Sequence, residues 1–250
     1  MTDSTVHRIR HAVRAVELDV RARMGIRPMC DLLQEAASEH AARLGVGFAE
    51  LSAHGLAWIL TGWRIEVARR PAWREEVVVE TWPSTRTERT ADRDFLLLSP
   101  TEEVLARGTS AWMILDLARR RPVRLPGTLR DLALPEVPRA LERGRGRPAW
   151  PGGSATAVEV AARRADLDAN DHVRNTAYLD WLGEGIPEPL FSRAELRALE
   201  VSFRAEARAG ARVVVETVEE EKPGRVALHQ RVVEVSTGKE LVLARSEWRA

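Results

Sequence analysis

The chain has 250 residues, a net charge of +1 and a single cysteine, Cys30. That length supports one large domain or two small ones, with a substantial core either way. The near-zero charge argues against a general nucleic-acid binder, and one cysteine excludes an internal disulfide or a cysteine-built metal cluster and suggests a reducing cytoplasm.

The start, MTDSTVHRIR, has no apolar core of a secretory signal, and no window approaches the length of a membrane span. Residues 6–20 alternate loosely between apolar and charged, which predicts a half-buried strand with His7 and His11 on its surface. The six histidines contain no HExxH pattern. Pro28 precedes a predicted helix over 30–44, where Leu32, Leu33, Ala36, Ala37, Ala41 and Leu44 form one apolar face. Gly45 ends it as a C-terminal cap. Strand-like runs follow at 57–68, 75–83, 91–98 and 104–117. A strand, a long helix and then an antiparallel run of strands predict a hot-dog-like α+β unit. Residues 135–153, rich in Pro, Gly and Arg, read as a linker between an N-terminal unit, 1–134, and a C-terminal unit, 154–250.

The second unit repeats the first. A strand at 157–162 leads to a loop and a helix from residue 176, then strands at 195–204, 212–220, 225–235 and 241–249. VVVET at 77–81 recurs at 213–217, and at that offset Glu206 falls on Arg70. Aligning the loops ahead of the two helices through their Leu-Asp-like pairs places Asp168, Asn170 and His172 opposite Arg21, Arg23 and Gly25. On that alignment the first unit lacks the carboxylate, amide and imidazole. It would shape a pocket or dock a partner while the second does chemistry.

The loop in question is RRADLDANDHVRNTAYLDW, 163–181. Asp168, Asn170 and His172 occupy alternate positions, so an extended backbone points all three the same way. Asn175 reads as the N-cap of the helix that follows. The three side chains thus converge beside a helix N-terminus, whose N–H groups suit a carbonyl gaining negative charge. On spacing alone, turn residues, a cap and a satisfied histidine account for the same letters.

Taken together, the motifs resemble the acyl-acyl carrier protein thioesterases, the plant FatA/FatB type and their bacterial relatives. The resemblance rests on LLQEAASEHAARLG, LTGWRIEVARRPAWREEVVVETW and ARGTSAWMILDLARRRPVRLP in the first unit. In the second it rests on DLDANDHVRNTAYLDW, GEGIP and LEVSFRAEARAGARV. It implies a tandem (double) hot-dog fold, two antiparallel sheets each wrapping a central helix. It also implies hydrolysis of fatty acyl thioesters on acyl carrier protein, with Asp168, Asn170, His172 and Glu206 as the catalytic set and the first unit as the acyl pocket. No cofactor or metal is expected, and the molecule would be a monomer of two units or a homodimer.

Within that frame Glu206 reads as a general base or a direct nucleophile. Asn170 and His172 would position water or the thioester, and Asp168 would orient its neighbours. His172 is the first candidate to protonate the thiolate. Helix-terminal N–H groups near Asn175–Ala177 would hold the carbonyl oxygen. Leu33, Ala37, Trp58, Ile59, Trp112 and Met113 are candidates to line an acyl channel, although such residues also serve simply as core. Arg69-Arg70 and Arg119-Arg120-Arg121 could meet an acidic carrier protein, with solvated charge as the plainer reading.

The chain departs from the plant pattern. Ala207 follows the glutamate where the plant enzymes carry cysteine, which excludes a cysteine nucleophile there. Arg174 stands where they have asparagine, and no plastid transit peptide is seen, in keeping with a cytoplasmic bacterial protein. An acyl-CoA thioesterase, a hot-dog dehydratase and a non-catalytic acyl-carrier-binding module remain as alternatives.

Overall fold

The computed structural model describes residues 5–141, 147–168 and 171–249. The chain divides into two compact units, Met1–Arg145 and Gly146–Ala250.

The first unit contains β1 (His7–Ala12), α1 (Ile26–Arg43), α2 (Phe48–Ser52), β2 (Leu56–Val67), β3 (Glu76–Arg86), β4 (Thr90–Leu98), β5 (Val104–Asp116), β6 (Arg121–Val123) and α3 (Gly127–Arg130). Its strands run β1-β3-β4-β5-β2, every neighbouring pair antiparallel, with β6 added to β5. Strands β2 to β5 follow their predicted bounds closely, and the alternation of buried and open positions is clearest in β3. There Val77, Val79 and Thr81 are buried while Glu76, Val78 and Glu80 are more open.

The first predicted strand needs correction, since β1 stops at Ala12. Residues Ala15–Glu17 instead form a 3₁₀ turn. The Glu17 carboxylate accepts the Arg14 N–H at 2.8 Å and pairs with its guanidinium at 2.7 Å. This local bond competes with strand continuation. His7 is not on the surface either. It is 4% exposed, lies 3.3 Å from Glu39, accepts a bond from Arg43 at 3.0 Å and stacks on His40.

Helix α1 begins at Ile26, earlier than predicted, and takes in Pro28. Proline is tolerated in a first turn because its missing N–H would have no partner there. Met29, Cys30, Leu33, Ala36, Ala37 and His40 form the buried face, which packs on β3. Each fully buried large apolar side chain contributes roughly 1.5–3 kcal/mol. Gly45 ends the helix with φ 70°, a conformation that favours glycine.

On β4, Asp94 is wholly buried. It accepts bonds from Ser84 at 2.8 Å, Thr109 at 2.9 Å and the Ala140 N–H at 2.8 Å, and pairs with Arg139 at 2.7 Å. Part of the stretch expected to link the units is therefore tied to the first sheet, and Ala140 and Leu141 are buried.

The second unit contains β7 (Thr156–Ala161), α4 (Ala177–Glu184), α5 (Glu188–Arg193), β8 (Glu195–Phe203), β9 (Arg212–Lys222), β10 (Arg225–Glu234) and β11 (Glu240–Arg249). Its strands run β8-β11-β10-β9-β7, again antiparallel. The repeat extends to side chains. Trp112 donates to Ser110 at 2.7 Å, and Trp248 donates to Ser246 at the same distance.

The two central helices differ in length, 18 residues for α1 and 8 for α4. Helix α4 buries Ala177, Tyr178, Leu179, Trp181 and Leu182 over β9 and β10. Its end is clamped by Thr217 donating to the Gly185 carbonyl at 2.9 Å and Gln230 to the Leu182 carbonyl at 2.8 Å. A Cβ at Gly185 would lie 2.8 Å from Val215 and 2.9 Å from Thr217, so only glycine fits that approach. Among the described residues, no helix is long and apolar enough to cross a membrane.

Candidate active site

The loop before α4 is built by its own backbone. The Arg163 N–H and guanidinium both bind Asp166, at 2.8 Å each. Burial alone would raise the Asp166 carboxyl, but Arg163 outweighs it and holds it below the usual carboxylate range. Leu167 then bridges to Val173, and the Asp168 N–H donates to the His172 carbonyl at 2.8 Å. Asp171 turns the chain with φ 60°, a left-handed conformation that aspartate tolerates. The Asp168 carboxylate accepts the His172 N–H at 3.2 Å. Asn170, expected in the catalytic set, lies outside the described residues.

Two bridges dock this loop onto the segment after β8. His172 pairs with Arg208, and the Val173 N–H donates to the Ala207 carbonyl at 3.0 Å. They carry His172 Nε2 to within 3.6 Å of Glu206 Oε2. Both side chains keep contact with solvent, 22% and 44% exposed respectively. The separation is longer than a direct hydrogen bond. A carboxylate and an imidazole so placed, both reachable from outside, can share a proton-transfer step on a molecule lying against them.

Asn175 is not the N-cap. Helix α4 is capped at Thr176, without a side-chain capping bond. The chain has already turned there, since the Ala177 N–H donates to the Arg174 carbonyl at 3.0 Å. Arg174 donates to the Leu167 carbonyl at 2.7 Å and the Ala165 carbonyl at 3.1 Å, fastening the loop to itself.

The first unit makes the same loop. The Asp19 N–H donates to the Arg23 carbonyl at 2.8 Å, Leu18 bridges Met24, Arg23 bridges Ala72, and Ala22 takes φ 55°. These bonds correct the register read from sequence. Asp168 corresponds to Asp19, His172 to Arg23, and the position of Asn170 to Arg21. The pairing of Glu206 with Arg70 stands, because the Met24 N–H reaches the Pro71 carbonyl as Val173 reaches Ala207. The first unit therefore keeps the carboxylate and loses the imidazole and the glutamate. In their place Arg70 pairs directly with Asp19. Burial would raise the Asp19 carboxyl, but Arg70 overrides it and holds it low.

The residues expected to line an acyl channel divide. Leu33 and Ala37 are buried on α1. Trp58 and Trp112 meet edge to face at 6.1 Å, and Trp58 packs near Ala41 and Leu44 against a small core of Val46, Leu51, Ile114, Leu125 and Leu129. Met113 pairs with Ile59 on the opposite face of the strands. Of the arginines considered for docking, Arg69 pairs with Glu75 and Glu103, and Arg119 pairs with Asp116.

Sequence reasoning assigned no role to Tyr178. Its ring is 2% exposed and packs against Trp181 and Phe203, and its oxygen accepts the Ala207 N–H at 2.8 Å. The signal lies in comparing the two repeats residue by residue. Among the described residues, no group of three or more His, Cys, Asp and Glu could hold a metal ion.

The family model of the acyl-ACP thioesterase N-terminal domain matches residues 4–132, and that of the C-terminal domain matches residues 153–250. The chain belongs to the acyl-ACP thioesterase family. The C-terminal domain of this family contains the loop that brings His172 to Glu206. A chloroplastic acyl-acyl-carrier-protein hydrolase of Cuphea viscosissima is 29% identical over 99% of this chain and 63% of its own length. An oleoyl-acyl carrier protein thioesterase of Arabidopsis thaliana is 30% identical over 82% of this chain and 61% of its own. The chain thus spans under two thirds of the curated relatives it matches. Among solved structures, a 12:0-ACP thioesterase from Umbellularia californica is similar, with TM-score 0.85, 25% identity and 98% of each chain covered. An acyl-ACP thioesterase from Bacteroides thetaiotaomicron shares the fold, with TM-score 0.86, 22% identity, and coverage of 100% of this chain and 99% of its own. The tandem hot-dog fold is that of the family.

Proposed function

We propose that the protein hydrolyses fatty acyl-acyl carrier protein thioesters to free fatty acid and carrier protein. The observation that carries this reading is the 3.6 Å approach of Glu206 to His172. The family membership supports it. Glu206 takes a proton from water as the water oxygen adds to the thioester carbonyl carbon, and the carbonyl π electrons move onto oxygen. Collapse of that adduct re-forms the carbonyl and breaks the carbon–sulfur bond, and the proton held by Glu206 passes by way of His172 to the leaving thiolate, which restores both groups. Asp168 holds the His172 backbone, and Asn170 positions the water or the thioester. The Ala177 N–H is already engaged, so those of Asn175 and Thr176 are left to receive the oxyanion.

The N-terminal unit, 1–134, supplies the acyl pocket, with Leu33, Ala37, Trp58 and Trp112 as its lining, while Met113 faces the other side of the strands. Of residues 135–153, expected as the linker, Arg139 and Ala140 bind Asp94 of the first unit, and the connection to the catalytic unit, 154–250, falls later in that stretch. Cys30 takes no part, since burial pushes its thiol far above the range in which it would ionise. A cytoplasmic location suits a chain whose one thiol is buried and free.

Mixing the pure protein with acyl carrier protein bearing a fatty acyl chain should release thiol, and faster than the same acyl group on coenzyme A. Glu206→Gln should lower turnover on the order of a hundredfold or more, with the fold intact. A Gln variant with wild-type turnover would remove Glu206 from this role.

A further inference from the structure

We propose that Tyr178 is a positioning residue that aims the Glu206 carboxylate by holding the peptide group between residues 206 and 207. The proposal rests on Glu206 as the base. That peptide's N–H belongs to Ala207 and donates to the Tyr178 oxygen at 2.8 Å. Ala207 is 1% exposed and Tyr178 2%, so water does not compete for the bond. On its other side, the Ala207 carbonyl accepts the Val173 N–H at 3.0 Å. One peptide group is thus fixed by helix α4 and the next by the loop that carries His172. The plane of the 206–207 peptide sets ψ of Glu206, and with it the direction in which that side chain leaves the backbone.

The duplication supplies an internal control. In the first unit the position of Ala207 is Pro71, which has no N–H to donate. Counting equally from the matched Met24 and Val173 places Met29, which has no hydroxyl, opposite Tyr178. The donor and the acceptor are absent together. Yet the first unit closes the same turn, with the Met24 N–H on the Pro71 carbonyl at 2.8 Å and Met29 fully buried. The fold therefore does not require the tyrosine bond. It occurs in the copy where the residue before it is a carboxylate that must be aimed, and not where that residue is Arg70. Burial, reinforced by the nearby Glu206 charge, pushes the phenol up to about 12. It stays neutral beside the carboxylate over the working pH range.

The test compares Tyr178→Phe, Glu206→Gln, the two combined, and Tyr178→Met with Ala207→Pro, which installs the first unit's pair. Tyr178→Phe keeps the ring against Trp181 and Phe203. It should lower kcat about tenfold with KM within about twofold, the pattern of a lost transition-state contribution. Hydrogen exchange at the Ala207 amide should lose its protection. Adding Tyr178→Phe to Glu206→Gln should cost nothing further, because the tyrosine acts through the glutamate. The Met/Pro pair should fold with a Tm near wild type and show the same loss of kcat, so it carries the test should the Phe variant not fold. Wild-type kcat in Tyr178→Phe or in the Met/Pro pair, or independent losses in the combined variant, would overturn the proposal. Full activity in Glu206→Gln alone is a separate outcome that removes the base itself, and the positioning role with it.

Discussion

Residues 18–24 and 167–173 trace the same turn, yet the two copies do different things with it. In both, a Leu bridges an apolar residue six positions on, an aspartate N–H returns to a carbonyl, and a left-handed residue makes the reversal. In the first copy the aspartate is covered by Arg70, an ion pair that closes the site on itself. In the second, Glu206 replaces that arginine and leaves a carboxylate facing an imidazole across 3.6 Å, open to solvent. Backbone bonds keep the loop, and the side chains decide whether it closes as an ion pair or, on the reading proposed above, serves as a reaction centre. The difference teaches that one position can hold a cation that closes an ion pair in one copy, Arg70, and a solvent-facing carboxylate beside an imidazole in the other, Glu206.

The sharpest way to break this comparison is to neutralise both positions and measure Tm beside turnover. Glu206→Gln should show the largest effect, on the order of a hundredfold in kcat, with Tm almost unmoved. Arg70→Ala should do the reverse. Removing a charged partner from a mostly buried carboxylate costs about 2 kcal/mol, seen in chemical denaturation, while kcat of the folded protein holds. A Glu206 variant that loses Tm in step with kcat would erase the distinction.

Helix length is the next contrast. Gly185 lets α4 end tightly on β9, and Gly185→Ala should cost roughly 1–3 kcal/mol through overlap with Val215 and Thr217, measured by the denaturation midpoint. An alanine variant as stable as wild type would show that the clamp is loose. The smallest expected effect belongs to the first unit alone. Burial lowers His7 below its ordinary 6.5, with Glu39 opposing and Arg43 adding to the shift. A base whose folded pKa is depressed is neutral in the native state while the unfolded chain takes up a proton. Stability from this residue is therefore complete above pH 6.5 and declines as pH falls through that value towards the folded pKa. Tm should fall more from pH 7.5 to 5.5 in the wild type than in His7→Gln. Equal slopes would dismiss the histidine as the cause.

Much of this was legible in the letters. Strands β3 and β9 show because one face of each is buried, so buried residues recur at every second position, and the shared VVVET follows from the same pattern. Elements such as α2, α3, α5 and β6 span too few residues for any period to develop. His7 is buried against the expectation because alternation does not reveal that a helix, through Glu39 and His40, covers one end of β1. In the site, the closeness of His172 to Glu206 followed from the family pattern, but the register of the matching loop did not. The register is fixed by the left-handed residues Ala22 and Asp171, which are ordinary letters in unusual backbone conformations. The letters give Tyr178 no role because its partner is a main-chain N–H, which every residue except proline possesses.

The buried Asp94 bears on how the polypeptide can be dissected. The N-terminal family segment ends at residue 132, but Arg139 and the Ala140 amide, which neutralise and cradle that acid, come later. A fragment stopped at the family boundary would enclose an ionised group with only the hydroxyls of Ser84 and Thr109 for company. Such an uncompensated charge weighs several kcal/mol against folding. A fragment of the first unit that keeps these bonds must therefore extend at least to Ala140, and a cut between the units belongs beyond it.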